Sequence, residues 1–131
     1  MKARLLMLVL LFPGLVAVPA VVLAHHSFIA EFDRDKTIEV TGTVTEVEWT
    51  NPHARVYVEG KDETGETANW NFELVSPNVL MRQGWHRNSL KQGETVTIKG
   101  WRARNAPHVG NVQSLKREDG TELFRWRGGN D

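Results

Sequence analysis

Apolar and polar residues alternate along most of the chain from Thr37 onward, and this period of two predicts β structure. The alternation is clearest over Thr67 to Leu74, where Trp70 and Phe72 take apolar positions between polar neighbours. Breaks such as Asn51-Pro52 divide the pattern into separate strands. The predicted strands cover residues 37–49, 55–59, 67–74, 92–103 and 111–116, followed by a short closing strand over residues 122–126.

One segment departs from this alternation and predicts a single short helix. Ser76 suits the N-cap, Pro77 suits the first helical position and Gly84 suits the C-terminal stop. Three strands, one helix and two strands follow the order of an OB-fold. We therefore expect an all-β domain with one short helix, an OB-like, partly open Greek-key barrel of five or six strands. Another small β-sandwich or barrel is the alternative.

The first 24 residues have the layout of a secretory signal peptide. Lys2 and Arg4 provide a positive start, residues 5–23 are largely apolar, and Val22 and Ala24 are the small residues that a cleavage site requires. We expect cleavage after Ala24 and a periplasmic or secreted protein without a membrane span after cleavage. An uncleaved membrane anchor is the alternative, because the apolar stretch is nearly long enough to cross a bilayer.

The expected mature chain has three parts and a nearly balanced charge. An N-terminal arm covers residues 25–36, a barrel domain covers residues 37–126, and a flexible tail covers residues 127–131. Removal of Lys2 and Arg4 with the signal leaves 14 basic residues against 16 acidic ones, which does not favour nucleic-acid binding. The chain has no cysteine, so disulfides and thiolate metal sites are excluded.

Four histidines form the strongest chemical pattern of the sequence. Cleavage after Ala24 would place His25 and His26 beside a free amino group, which gives three nitrogen donors at one end of the chain. His53 and His108 each follow a proline, and in an OB-fold they would lie in the two loops that flank the ligand face. Imidazole suits copper, zinc and nickel, and divalent affinity generally peaks at copper. We therefore expect a transition-metal site, copper first, at which the terminus and the loop histidines meet.

A second interpretation of these residues remains open. Exposed terminal histidines also bind metals adventitiously, and His53 and His108 would then be loop residues that bond to nearby backbone. His86 follows the helix, away from both loops, and we expect it to be structural.

Arg102 and Arg104, just before the second Pro-His loop, suggest a different ligand. Their guanidinium groups are candidates for holding an anion at the mouth, and solvated strand ends are the alternative. The five tryptophans offer a stacking platform for sugars, although we favour a role in the core. The alternative function is therefore a binding module for a small anionic or carbohydrate ligand.

Nothing in the sequence specifies an enzyme. Nucleophile motifs, a P-loop, a dinucleotide fingerprint and paired carboxylates do not stand out. A copper-dependent redox enzyme with a histidine brace is the third and least favoured hypothesis, because a domain of this size offers little room for a substrate cleft. The sequence therefore favours a binding domain over an enzyme.

Several motifs together resemble a known family of small exported bacterial proteins, catalogued as a domain of unknown function. These motifs are AHHSF from Ala24, EFD from Glu31, the stretch from Gly42 to His53 and the stretch from Gly84 to Arg104. The resemblance covers nearly the whole mature chain and implies secretion and a small β-barrel, but it assigns no activity. A looser similarity to periplasmic OB-fold stress proteins implies a binding module.

Overall fold

A computed structural model describes residues 28–128, in which six strands surround one core. The strands are β1 (Phe32–Glu48), β2 (Arg55–Asp62), β3 (Thr67–Glu73), β4 (Thr95–Ala103), β5 (Val109–Arg117) and β6 (Glu122–Arg125). The helix α1 (Pro77–Arg82) lies between β3 and β4, and residues 28–31 form a helical turn ahead of β1.

Five of the strands close into a ring. The sheet has the order β3-β2-β1-β4-β5-β6, and a parallel pairing between β3 and β5 closes the ring, with β6 outside it and paired to β5. The closing pairs run from Asn71 with Val109 to Glu73 with Asn111. This is the strand arrangement of an OB-like Greek-key barrel, so the predicted fold class is confirmed. The closure also places the β4–β5 loop directly beside β3.

The first strand begins earlier than the sequence pattern indicates. Phe32 pairs with Ala103, and a register shift separates Asp33 from Thr37 before regular pairing resumes. The ring of Phe28 packs 5.3 Å from Phe32 and 5.5 Å from Trp101. The predicted boundary between an arm and a barrel at residue 36 therefore falls inside β1. The sequence pattern did not predict this part of the strand, because the register irregularity interrupts its period-two alternation.

The core contains most of the tryptophan side chains. Trp70, Trp85 and Trp101 are buried, and Trp49 and Trp126 pack against the core while partly exposed. This arrangement agrees with the core role that the sequence analysis favoured over an exposed stacking platform.

The predicted helix is confirmed, and two contacts hold it in place. Ser76 is the N-cap, and its Oγ accepts a hydrogen bond from the backbone N–H of Val79 at 3.4 Å. After the helix, the indole N–H of Trp85 donates to the carbonyl oxygen of Leu123 at 2.7 Å. The helix is therefore joined to the start of β6.

Two of the predicted segments are wholly or mostly outside residues 28–128. The signal peptide over residues 1–24 lies outside the described part, and so do the last three residues of the predicted tail. Arg127 and Gly128, which begin that tail, are exposed. Within residues 28–128, no helix is both long and apolar enough to span a membrane.

Candidate functional site

The structure describes the loop histidines and the two arginines among the candidate site residues, but not those at the expected N-terminus. Ala24, His25 and His26 lie outside the described residues. His53 lies in the β1–β2 loop and His108 lies in the β4–β5 loop, as the sequence predicts. The two loop histidines have different partners, and these partners define two distinct polar sites.

The first site is built around Glu73, which is the one buried charged residue of the part that the structure describes, at 6% exposure. Glu73 is the last residue of β3, and its register partners are Arg55 on β2 and Asn111 on β5. Arg55 Nη2 donates to Oε2 of Glu73 at 2.8 Å, and Asn111 Nδ2 donates to Oε1 at 3.4 Å. The pairing of three strands thus gathers these polar side chains at one point.

His53 completes this group from the loop before β2. Its Nδ1 lies 3.9 Å from Oε1 of Glu73, which is too long for a hydrogen bond. That nitrogen is buried and has no hydrogen-bond partner among the described residues, although the side chain as a whole is 40% exposed. Buried ring nitrogens of this kind are normally satisfied. We refer to His53, Arg55, Glu73 and Asn111 as the Glu73 centre.

The electrostatics of the centre are set by the burial of its acid. Burial raises the pKa of the Glu73 carboxyl above its ordinary value of 4.5 because water no longer solvates the charge. The charges of His53 and Arg55 oppose this effect, whereas the neighbouring carboxylate of Glu31 raises the pKa further. The centre therefore favours the protonated form of Glu73 more than an exposed carboxyl would.

The effect of Glu31 on the pKa of Glu73 also indicates the position of Glu31 relative to the centre. The backbone carbonyl of Glu31 accepts a hydrogen bond from the N–H of Arg104 at 2.8 Å. This contact holds the segment at the end of β4, close enough to Glu73 for the two carboxylates to interact. Glu31 therefore lies near the Glu73 centre, at the end of β4.

The second site lies beside β3, where the carbonyl oxygen of His108 accepts a hydrogen bond from the N–H of Asn71 at 2.9 Å. Nε2 of His108 is 3.5 Å from Oε1 of Glu66, and its ring packs edge-on against Trp70 at 4.9 Å. Glu66 immediately precedes β3 and Glu73 ends it, so the two carboxylates are joined by a strand about 20 Å long. The structure does not bring His53 and His108 to a common partner. His108 has a φ of 57°, which is uncommon for a residue other than glycine.

Both candidate arginines have carboxylate partners. Nη2 of Arg102 lies 3.6 Å from Asp62, and its guanidinium lies 5.5 Å from the ring centre of Trp70. Nη1 of Arg104 lies 3.3 Å from Asp33, and its Nε donates to the carbonyl of Ile29 at 2.9 Å. Arg104 thus fastens the N-terminal segment to the ring. Neither side chain projects as an unpaired cation from the loop.

The Glu73 centre was missed by sequence reasoning, in which paired carboxylates did not stand out. Glu73 shares strand parity with Asn69 and Asn71, so its position alone predicts a solvated outer face. The signal that identifies it is the cross-strand pairing with Arg55 and Asn111, and this pairing depends on register. Among residues 28–128, no three His, Cys, Asp or Glu side chains converge in a way that would hold a metal ion.

Comparison with known proteins assigns the chain to one family without an activity. The model described as "Family of unknown function (DUF6152)" matches residues 14–113, which include the whole Glu73 centre. No curated protein and no solved structure matches the chain.

Proposed function

The chain belongs to the DUF6152 family of unknown function, and we propose that it is an exported, non-enzymatic binding domain for a transition metal, copper first. In this proposal His53 and Glu73 supply two ligands from the ring. The terminal amine and imidazole groups of His25 and His26 supply the others. The observation that carries the proposal is the buried, unpartnered Nδ1 of His53 beside Oε1 of Glu73.

The separation of these two atoms supports a shared metal. Zinc and similar ions bind nitrogen and oxygen ligands at about 2 Å, so two ligands of one ion lie within about 4 Å of each other. The 3.9 Å between Nδ1 of His53 and Oε1 of Glu73 falls inside that limit. Imidazole and carboxylate are both ligands of divalent transition metals. A pair of atoms too distant for a hydrogen bond is thus suitable for a bridging ion.

The charge of the centre supports a cation as the ligand. The burial of Glu73 disfavours its ionised form, and the nearby Glu31 carboxylate adds to that effect. A divalent ion at Oε1 would offset both, and it would displace the proton that the raised pKa of Glu73 favours. Arg55 already binds Oε2, so it would orient the carboxylate and leave Oε1 facing His53.

The course of the chain supports a contribution from the N-terminus. Residues 28–31 form a helical turn, and His26 is two residues before Phe28, a length of about 7 Å when extended. Because Glu31 is anchored at Arg104 and its carboxylate interacts with that of Glu73, the terminal donors would start from the neighbourhood of the centre. Cleavage after Ala24 would supply the free amine, which titrates near 8 and releases its proton readily to a metal.

Copper titration of the exported protein tests the proposal. Intact-mass measurement first determines whether the purified chain begins at His25. Calorimetric titration with Cu(II) then compares the native protein with His53→Ala, His108→Asn and His86→Ala. We expect His53→Ala to weaken Cu(II) binding about tenfold or more, a loss comparable with that caused by removing supporting groups around known metal sites.

The two other variants are matched controls. His86 is exposed and its Nδ1 accepts from the N–H of Asn88, while His108 faces Glu66, so neither should change the affinity. Equal affinity in all four proteins would limit copper to the chain terminus and would contradict the Glu73 centre as a metal site. A mature chain that begins after His26 would remove the terminal ligands from the proposal.

A further inference from the structure

A second concave site lies between the helix and the end of β6, and it shares no residue with the Glu73 centre. Its volume is about 470 Å³, which is within the range of cavities that hold small organic ligands. Val75, Val79, Phe124 and Trp126 supply apolar and aromatic surface to its wall. The cavity therefore offers an apolar environment for part of a ligand.

Two arginines give the cavity its charge. Arg82 and Arg127 line it, and the described residues that line it include no acid. Both arginines are exposed, and neither forms an ion pair with another residue of the range 28–128. They therefore differ from Arg102 and Arg104, which are occupied by Asp62 and Asp33.

The adjoining surface extends this positive character. A neighbouring depression of about 380 Å³ shares Arg82 and Arg127 with the first cavity. The acid in its lining is Glu122, and both carboxylate oxygens of Glu122 accept hydrogen bonds from Arg125. The mouth thus combines two guanidinium groups that form no ion pair within residues 28–128 with an acid that is already bound by Arg125.

We propose that this cavity binds a small amphipathic anion, in which an aromatic or aliphatic body carries a carboxylate or sulfonate. The body would lie against Phe124, Trp126 and Val79, and the anionic group would face Arg82 and Arg127. Guanidinium groups bind planar oxyanions through paired hydrogen bonds. The same two charges repel a metal ion, so the ligand of this cavity differs in class from the ligand proposed for the Glu73 centre.

Paired fluorescent probes test the charge requirement directly. The first probe is 8-anilino-1-naphthalenesulfonate, an aromatic anion, and the second is N-phenyl-1-naphthylamine, which has a similar apolar body without a charge. We expect Arg82→Gln and Arg127→Gln each to weaken binding of the anionic probe about threefold, the size expected for an exposed charge contact. Binding of the neutral probe should not change.

Two further variants locate the binding site. Arg87→Gln removes an exposed arginine outside the cavity and should leave both probes unaffected. Asn78→Trp places a large side chain at an exposed position of the cavity lining and should abolish binding of both probes. Unchanged far-ultraviolet circular dichroism and an unchanged urea-unfolding midpoint of each variant would show that the fold is retained.

Either of two results would overturn the proposal. If the anionic probe binds Arg82→Gln and Arg127→Gln as tightly as the native protein, the arginines do not select an anion. If both probes still bind to a correctly folded Asn78→Trp variant, they bind elsewhere. Neither result bears on copper binding at His53, so this proposal and the metal proposal fail independently.

Discussion

Nη2 of Arg55 donates to Oε2 of Glu73 at 2.8 Å, so the first residue of β2 neutralises the last residue of β3. The pair lies where β3 also meets β5, at the closure of the ring. Arg55 is 28% exposed at its side chain, whereas Glu73 is buried. The contact therefore stabilises an acid that the ring has removed from water, and this acid also faces His53.

Arg55→Met should destabilise the protein because it leaves the buried Glu73 carboxyl without its guanidinium partner. We expect the free energy of unfolding at pH 7 to fall by about 2 kcal/mol, below the loss typical of a fully buried pair, since Arg55 is partly solvated. Urea unfolding measures this change. The double variant Arg55→Met/Glu73→Gln removes the unpaired charge and should recover most of the loss. A double variant as unstable as the single one would contradict the assigned role of the charge.

Glu73 should also give the protein a distinct pH dependence. Its pKa is raised in the folded state, so between pH 4.5 and that raised value the folded chain binds more protons than the unfolded chain. The contribution of Glu73 to stability is thus complete below pH 4.5 and declines as the pH rises through the raised pKa. Urea unfolding of the native protein and of Glu73→Gln across this range isolates the effect. If the difference in stability between the two proteins is independent of pH, the pKa of Glu73 is not raised.

Gly42→Ala should be among the most destabilising single-methyl additions in the ring. Gly42 pairs directly with Gly60, and a Cβ at residue 42 would overlap the carbonyl oxygen of Glu59 and the Cα of Gly60. Because these are backbone atoms, β1 and β2 would have to separate, and we expect a loss of about 3 kcal/mol in thermal or urea unfolding.

Gly65→Ala is the matched control for this substitution. A Cβ at Gly65 would meet nothing within 4 Å, but the residue has a φ of 84°. The expected loss is about 1 kcal/mol, from backbone strain alone. Similar losses at both positions would show that the close approach of Gly42 and Gly60 does not limit the spacing of the two strands.

The loss of stability on substitution of His108 should depend more on the backbone conformation that the new residue allows than on the side-chain contacts that are lost. Asparagine tolerates the left-handed region in which His108 lies, whereas a β-branched residue does not. We expect His108→Val to be about 2 kcal/mol less stable than His108→Asn in urea unfolding. Both variants lose the contact with Trp70, so the difference between them reports the backbone. Equal stability would mean that the loop relaxes to a different conformation.

Local patterns in the sequence accounted for much of the fold. The alternation around Trp70 and Phe72 and the Ser76-Pro77 start of the helix both correspond to observed elements, because each depends on neighbouring residues alone. The start of β1 at Phe32 was not predictable in this way. A register irregularity interrupts its pattern, and its pairing partner Ala103 is distant in the sequence.

The candidate site was likewise predictable only in its local features. The sequence by itself determined that His53 and His108 lie in loops between strands, and it predicts the terminal donors of His25 and His26. Only the tertiary structure decided that His53 faces Glu73 while His108 faces Glu66. It also buried Glu73 on a face whose parity predicts solvent, because the closure of β3 on β5 surrounds that carboxylate with side chains from β2, β5 and the β1–β2 loop. Strand alternation is a local property, whereas register and closure arise from pairing between distant segments, and such pairing decides which polar groups meet.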